Sequence, residues 1–310
     1  MSQSTVVPPR VRAGDTVAIV APASPVPPDR LRAGLDRLGD RYRLRVADDI
    51  GRASGFLAGS DSRRAEELDA ALRDPDVRAV IMARGGYGVH RLLEHLDPGA
   101  LRADPKPLVG FSDGTALLAW AERAGVRGVH GPVVVQLPRL PAEQVAWLFD
   151  LLEGRAALGA GAPLATGLVP VGAPGRGRVE GPLRGGNLTL LSHLVGTPWQ
   201  PDLAGALLLL EEVDEKPYAI DRYLTHMALA GALAGAAGAL IGDLTACTDA
   251  KYPDVSGEDA VAERLRGAGL PALAGAPVGH GARNLALPYG ARCALDLDAG
   301  TLELLEPAVS

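Results

Sequence analysis

Through the first half of the chain, short β-rich runs, some of them unbroken apolar, alternate with stretches whose apolar residues recur every three or four positions. The runs are "TVAIVAP" (Thr16 to Pro22), "LRVAD", "VRAVIMARGG" (Val77 to Gly86) and "KPLVGFSDG". An unbroken run bounded by turn residues reads as a strand covered on both faces. Between them, a helix is expected from near Asp29, and another over "GSDSRRAEELDAALRD". In the latter Ala65, Leu68 and Leu72 share a face behind Ser60 and Asp61 as candidate caps. This alternation predicts a parallel, doubly wound α/β domain. After the helical pattern "PAEQVAWLFDLLEG", all periodicity is lost in the Gly, Pro and Ala of Gly159 to Gly181. We therefore expect an N-terminal domain over 1–158, a linker over 159–181 and a C-terminal domain over 182–310. The last contains strand-like "GALLLLEEV" and "AGALIGDL", an Ala-rich helix from about Asp221, and a β-rich tail, "CALDLDAGTLELLEP".

Composition narrows the function classes. A net charge of −6 over 310 residues, with lysine only at positions 106, 216 and 251, leaves no basic stripe for a nucleic-acid backbone. The two cysteines, Cys247 and Cys293, form no CxxC pair, which argues against a disulfide framework or a thiolate metal site and for a reducing compartment. The first twenty residues lack the pattern of a secretion signal, and no run is long enough to span a membrane. The expectation is a cytoplasmic protein without membrane or nucleic-acid partners.

"GFSDG" joins a strand-like run to a helical pattern at Gly110, Ser112 and Gly114. Flanking glycines allow the sharp strand-to-helix corner that lifts a nucleophilic hydroxyl clear of its helix. On the pentapeptide alone, a Ser112 that merely caps the helix is an equal reading. "RGGYG" (Arg84 to Gly88) ends the preceding strand run and so emerges at the same carboxyl edge. If an oxyanion forms at Ser112, the N–H groups of Asp113 and Gly86 are the candidate donors. The motif is neither a dinucleotide fingerprint nor a phosphate loop, and no cofactor or metal signature is present. Of six histidines, His280 alone lies in a predicted loop between two glycines, with Asn284 near it. Glu211 and Glu212 close an apolar strand, and by themselves read more readily as a solvated charged run.

Taken together, "VAIVAPASPV", "RGGYG", "GFSDGTAL", "VHGPV", "GGNLTLLSHLVGTPW", "LEEVDEKPYAIDR" and "PVGHGARNLALPYG" resemble the LD-carboxypeptidase family, also called muramoyltetrapeptide carboxypeptidases, over nearly the whole chain. The resemblance implies a flavodoxin-like N-terminal domain carrying a serine nucleophile and a β-rich α/β C-terminal domain carrying Glu and His. Carried over, the triad is Ser112, Glu211 and His280, acting without metal to release the terminal D-Ala of murein tetrapeptide. Where this chain has Glu212 the family often has Asp, so the choice between Glu211 and Glu212 rests on alignment of the strand. Arg84 and Arg283 are candidates for the substrate carboxylate, each with a surface salt bridge as the plain alternative. Such families also suggest a homodimer. The same resemblance takes in microcin C self-immunity hydrolases, which need aromatic surface for a base; Tyr87, Trp199 and Tyr218 are the candidates. A peptidoglycan-fragment binding module with Ser112 as a cap, and an ordinary α/β-hydrolase, are the remaining readings.

Overall fold

The computed structural model describes residues 5–159 and 163–310; residues 1–4 and, within the expected linker, residues 160–162 lie outside the described residues. The chain divides into two compact units. One comprises Met1–Ala156, Leu285–Gly290 and Pro307–Ser310, the other Ala157–Asn284 and Ala291–Glu306.

The first unit runs β1 (Thr16–Val20), α1 (Pro28–Gly39), β2 (Arg43–Val46), α2 (Asp61–Arg73), β3 (Val77–Met82), α3 (Pro98–Ala103), β4 (Leu108–Gly110), α4 (Gly114–Arg123), β5 (Gly128–His130) and α5 (Ala142–Leu152). Its strands pair in parallel in the order β2-β1-β3-β4-β5, the flavodoxin-like order. Val17, Ile19, Val80, Ile81 and Val109 are buried, as expected of strands covered on both faces. Ser60 caps α2 by accepting the Arg63 N–H at 3.2 Å. His90 and His95 lie in single-turn 3-10 segments after β3.

The second unit is also built of βαβ crossovers. It contains β6 (Val169–Gly172), β7 (Arg178–Asn187), α6 (Leu188–Leu194), β8 (Leu207–Val213), α7 (Pro217–Leu229), β9 (Gly238–Thr245), α8 (Gly257–Gly267) and β10 (Pro271–Ala274). β7, β8, β9 and β10 are parallel neighbours, with β6 antiparallel on β10. β11 (Leu287–Tyr289) instead extends the first unit's sheet, antiparallel to β5. β12 (Arg292–Asp296) and β13 (Thr301–Leu304) then close the other edge of the second sheet. Leu188, Leu208, Leu210, Leu224, Ile241 and Val261 belong to its buried core.

Local chemistry explains where the elements depart from the sequence reading. α7 starts at Pro217 rather than near Asp221, because Pro at the first helical position needs no N–H acceptor. Within 163–181 lie β6 and the first residues of β7, hydrogen-bonded to partners far away in sequence that a local pattern does not show. α8, missed in the sequence, begins with a capping box in which Ser256 and Asp259 satisfy each other's backbone N–H groups. Among the described residues no helix is long and apolar enough to cross a membrane.

Candidate active site

β4 is a buried three-residue strand, and the chain leaves it through Phe111, Ser112 and Asp113 into α4. Ser112 sits at φ 60°, in the left-handed region that costs a non-glycine residue about 1–2 kcal/mol. Gly114 lets the corner pack closely on β3: a Cβ there would lie 2.6 Å from Met82 Sδ. The amides of Gly114, Thr115 and Ala116 donate to the carbonyls of Phe111, Ser112 and Asp113 at 3.0, 2.9 and 3.3 Å. The N-cap position belongs to Asp113, and no side chain caps the helix. Ser112 is therefore not the helix cap. A half-buried serine strained on a strand–turn–helix corner is the geometry of a nucleophile elbow. With the next three amides engaged, Asp113 N–H is the one on this turn left to consider for an oxyanion.

The turn after β3 lies against the same corner. A Cβ on Gly85 would come within 2.9 Å of Ser112 Cβ and 3.1 Å of its Oγ. Gly86, exposed at φ 111°, leaves room for Ser24, whose Oγ accepts the Tyr87 N–H at 3.1 Å. Arg84 donates from Nη1 to Pro25 O at 2.6 Å, so part of its fork is already engaged. Tyr87 is exposed, edge-to-face with Phe56 at 5.6 Å between centroids.

In the second unit, Glu211 and Glu212 at the end of β8 are both buried but do different work. Glu212 accepts from Asn187 Nδ2 at 2.8 Å, Val213 N–H at 2.9 Å, Thr189 N–H at 2.7 Å and Thr189 Oγ1 at 2.8 Å. Its carboxylate is consumed at the start of α6. Glu211 Oε2 instead accepts a hydrogen bond from His280 Nδ1 at 2.8 Å. A β-bulge makes room for it: β8–β9 pairing passes from Leu210–Ile241 to Glu212–Leu244, so Gly242 and Asp243 oppose Glu211. Burial pushes the Glu211 carboxyl above the usual Glu range, and the bond from His280 pulls it back down. Paired with an ionised Glu211, which can only accept, Nδ1 would carry the proton and Nε2 would be the nitrogen able to take another.

The loop carrying His280 is itself tied. Gly279, at φ 142°, donates its N–H to Asn284 Oδ1 at 3.2 Å. Asp243 N–H donates to Val278 O at 2.7 Å, and the Asp243 carboxylate, raised above its usual range by burial, accepts the Gly281 N–H. A Cβ on Gly281 would fall onto that carboxylate. Asp243 was not legible as a site residue; the Gly-His-Gly spacing was the one hint of a close neighbour. Arg283, in the same loop, is exposed. The other histidines lie elsewhere: His130 is buried edge-on to Phe111, 5.4 Å between centroids, His193 packs by Tyr223 at 6.0 Å, and His226 is exposed on α7. Tyr218 is exposed with Arg222 over its ring, and Trp199 is partly exposed. Among the described residues no group of three or more His, Cys, Asp or Glu is placed to hold a metal ion.

Comparison with known proteins extends this geometry. The LD-carboxypeptidase N-terminal domain model matches residues 17–131 and the LD-carboxypeptidase C-terminal domain model residues 180–295. A Streptomyces coelicolor relative carrying a provisional carboxypeptidase name is 41% identical over 97% of both chains. The murein tetrapeptide carboxypeptidase of Pseudomonas aeruginosa is 37% identical over 90% of this chain and 92% of its own. The solved structure of the microcin C7 self-immunity protein in complex with aspartyl sulfamoyl adenosine superposes with a TM-score of 0.86, covering 98% of this chain and 100% of that one. At 22% identity, that likeness speaks for the fold alone.

Proposed function

Because this chain belongs to the LD-carboxypeptidase family and is a peptidase, we propose that it is a serine carboxypeptidase that cleaves an L,D-peptide bond and releases the terminal D-Ala of murein tetrapeptide. The observation that carries the chemistry is Ser112, strained at φ 60° on the β4–α4 corner. Glu211 holds the Nδ1 proton of His280 at 2.8 Å, so that Nε2 serves as the general base toward Ser112 Oγ. Oγ attacks the carbonyl carbon, and the oxyanion is met by the N–H groups of Asp113 and Gly86, each such donor being worth roughly 10²–10³ in rate. His280 then hands its proton to the leaving amine, D-Ala departs, and an acyl ester remains on Ser112. Water deprotonated by His280 cleaves the ester and restores the enzyme. The scheme uses no metal or cofactor. Arg84 and Arg283 are the residues we assign to the substrate's terminal carboxylate, Arg84 with the unengaged part of its fork. The reading also carries a cytoplasmic location and a homodimer, the latter open to sedimentation.

The test is D-Ala release from purified murein tetrapeptide by wild type and Ser112→Ala, with and without EDTA. Cleavage by wild type, unaffected by EDTA and lost in the variant, is the expected result. Failure on this peptide together with hydrolysis of aspartyl sulfamoyl adenosine would instead assign the microcin C type of substrate. Failure of a serine-directed phosphonate to label Ser112 would reduce the corner to a structural feature of a binding module.

A further inference from the structure

Asp113 stands directly after the serine, fully buried, and its side chain does nothing for the helix it precedes. One oxygen, Oδ2, accepts the Val89 N–H at 2.8 Å across 24 residues of sequence. The other, Oδ1, is buried without a hydrogen-bond partner. Burial drives this carboxyl up to about 7, against the opposing pull of the Val89 N–H and the Arg64 guanidinium.

The bond it makes reaches the far end of the glycine turn that abuts Ser112. The turn is held at four points, the first being Ser24 N–H, which donates to Gly85 O at 3.4 Å. Ser24 Oγ accepts the Tyr87 N–H at 3.1 Å, buried Arg64 donates to Gly88 O at 2.9 Å, and Asp113 takes Val89 N–H. Gly86 and Gly88 lie at φ 111° and 134°, so the peptides between these ties have little steric preference of their own to keep them in place. Of these ties, Asp113 alone is covalently continuous with the serine turn.

We propose that the Asp113 carboxylate is a positioning residue that locks the Gly85–Gly88 turn to the nucleophile corner, setting the spacing between Ser112 and the N–H groups that meet the oxyanion. The proposal rests on Ser112 being the nucleophile. It adds a side-chain role that is distinct from the backbone N–H of the same residue.

Three measurements on the full-length protein decide it. Hydrogen exchange at the amides of residues 85–89 reports the lock without reference to activity, and the Val89 amide of the wild type is expected to be strongly protected. Rapid exchange there overturns the proposal outright, whether or not any variant folds. In Asp113→Ala, exchange over 87–89 is expected to rise at least tenfold, while kcat for tetrapeptide cleavage falls about 10² and KM stays within threefold, because misplacing a catalytic group by about 1 Å costs that much. Asp113→Asn keeps an oxygen that accepts from Val89 and is expected to hold both protection and kcat within about fivefold of wild type. Unchanged kcat and exchange in the Ala variant, or loss of kcat in Asn with the turn still protected, refutes the positioning role. If the wild type cleaves no tetrapeptide, the substrate assignment falls by that result, and exchange together with phosphonate labelling of Ser112 still decides the lock.

Discussion

Replacing Asp113 by Asn has a consequence for stability that can be worked out beforehand. In the unfolded chain this carboxyl titrates near the ordinary Asp value of about 3.9. In the folded protein burial raises it to about 7. The folded state therefore binds the proton more tightly, and the sign follows: stability is highest below pH 4, falls as pH rises through the window from about 4 to 7, and is level above it. Three pH units correspond to about 4 kcal/mol, of which about 3 kcal/mol falls between pH 4.5 and 8. Asn has no such titration. Its amide places an NH2 where Oδ1 now lies without a partner, a fixed cost of about 1–3 kcal/mol at every pH. The quantity to measure is thus the difference between variant and wild type as a function of pH, in which every other titrating group cancels. Urea unfolding followed by the fluorescence of Trp120 and Trp147, both in the first unit, supplies it at pH 4.5, 5.5, 6.5, 7.5 and 8.5. The variant should gain about 3 kcal/mol on the wild type across that range. A difference that stays flat within 0.5 kcal/mol, or runs the other way, refutes the reasoning: the carboxyl is then not desolvated in the folded protein.

Three further predictions test the two units separately. Glu211→Gln should lower kcat by roughly 10²–10⁴ through loss of His280 orientation with the fold intact, whereas Glu212→Ala should destabilise by about 3–5 kcal/mol, since it strips three hydrogen bonds from the start of α6 and a fourth from Val213 N–H on β8; paired kinetics and thermal melts separate them, and equal effects on both readouts would contradict the division of labour. Gly85→Ala, whose Cβ would meet Ser112 Cβ at 2.9 Å, should slow both turnover and phosphonate labelling of Ser112 at least tenfold; wild-type labelling would show that the turn yields instead. Although burial pulls Glu153 upward, hydrogen bonds from Arg41, Tyr42 and Arg155 hold it at about 2. Its stabilisation is complete above the ordinary Glu range and is lost as pH falls from about 4.5 toward 2, so Glu153→Gln should flatten the acid limb of a stability profile, and an unaltered limb would count against the cluster.

Much of this protein was legible before folding was considered. The apolar runs at Thr16–Val20 and Val77–Met82, the caps at Ser60 and the glycines around Ser112 are local signals, because strand burial, helix capping and left-handed backbone depend on residues within a few positions of one another. The Ser112 corner was recognisable as a possibility, yet on the pentapeptide alone its two readings were equal and only the family resemblance favoured the nucleophile, since whether a turn serine caps a helix or stands clear of it is a matter of backbone angle. The structure puts it at φ 60° and gives the cap position to Asp113. Other features needed the whole fold. Glu211 and Glu212 are chemically alike neighbours, and only the β8–β9 bulge and the docking of α6 decide which one receives His280, 69 residues away, and which is consumed at a helix end. β11 was read into the C-terminal domain and pairs with β5, because three residues of strand carry no signal of which sheet will accept them. The sequence by itself determined the elements, their alternation and the stock of reactive side chains. Tertiary structure decided which carboxylate meets the histidine and which backbone carries the strain, because hydrogen-bond partners and burial are properties of distant segments brought together.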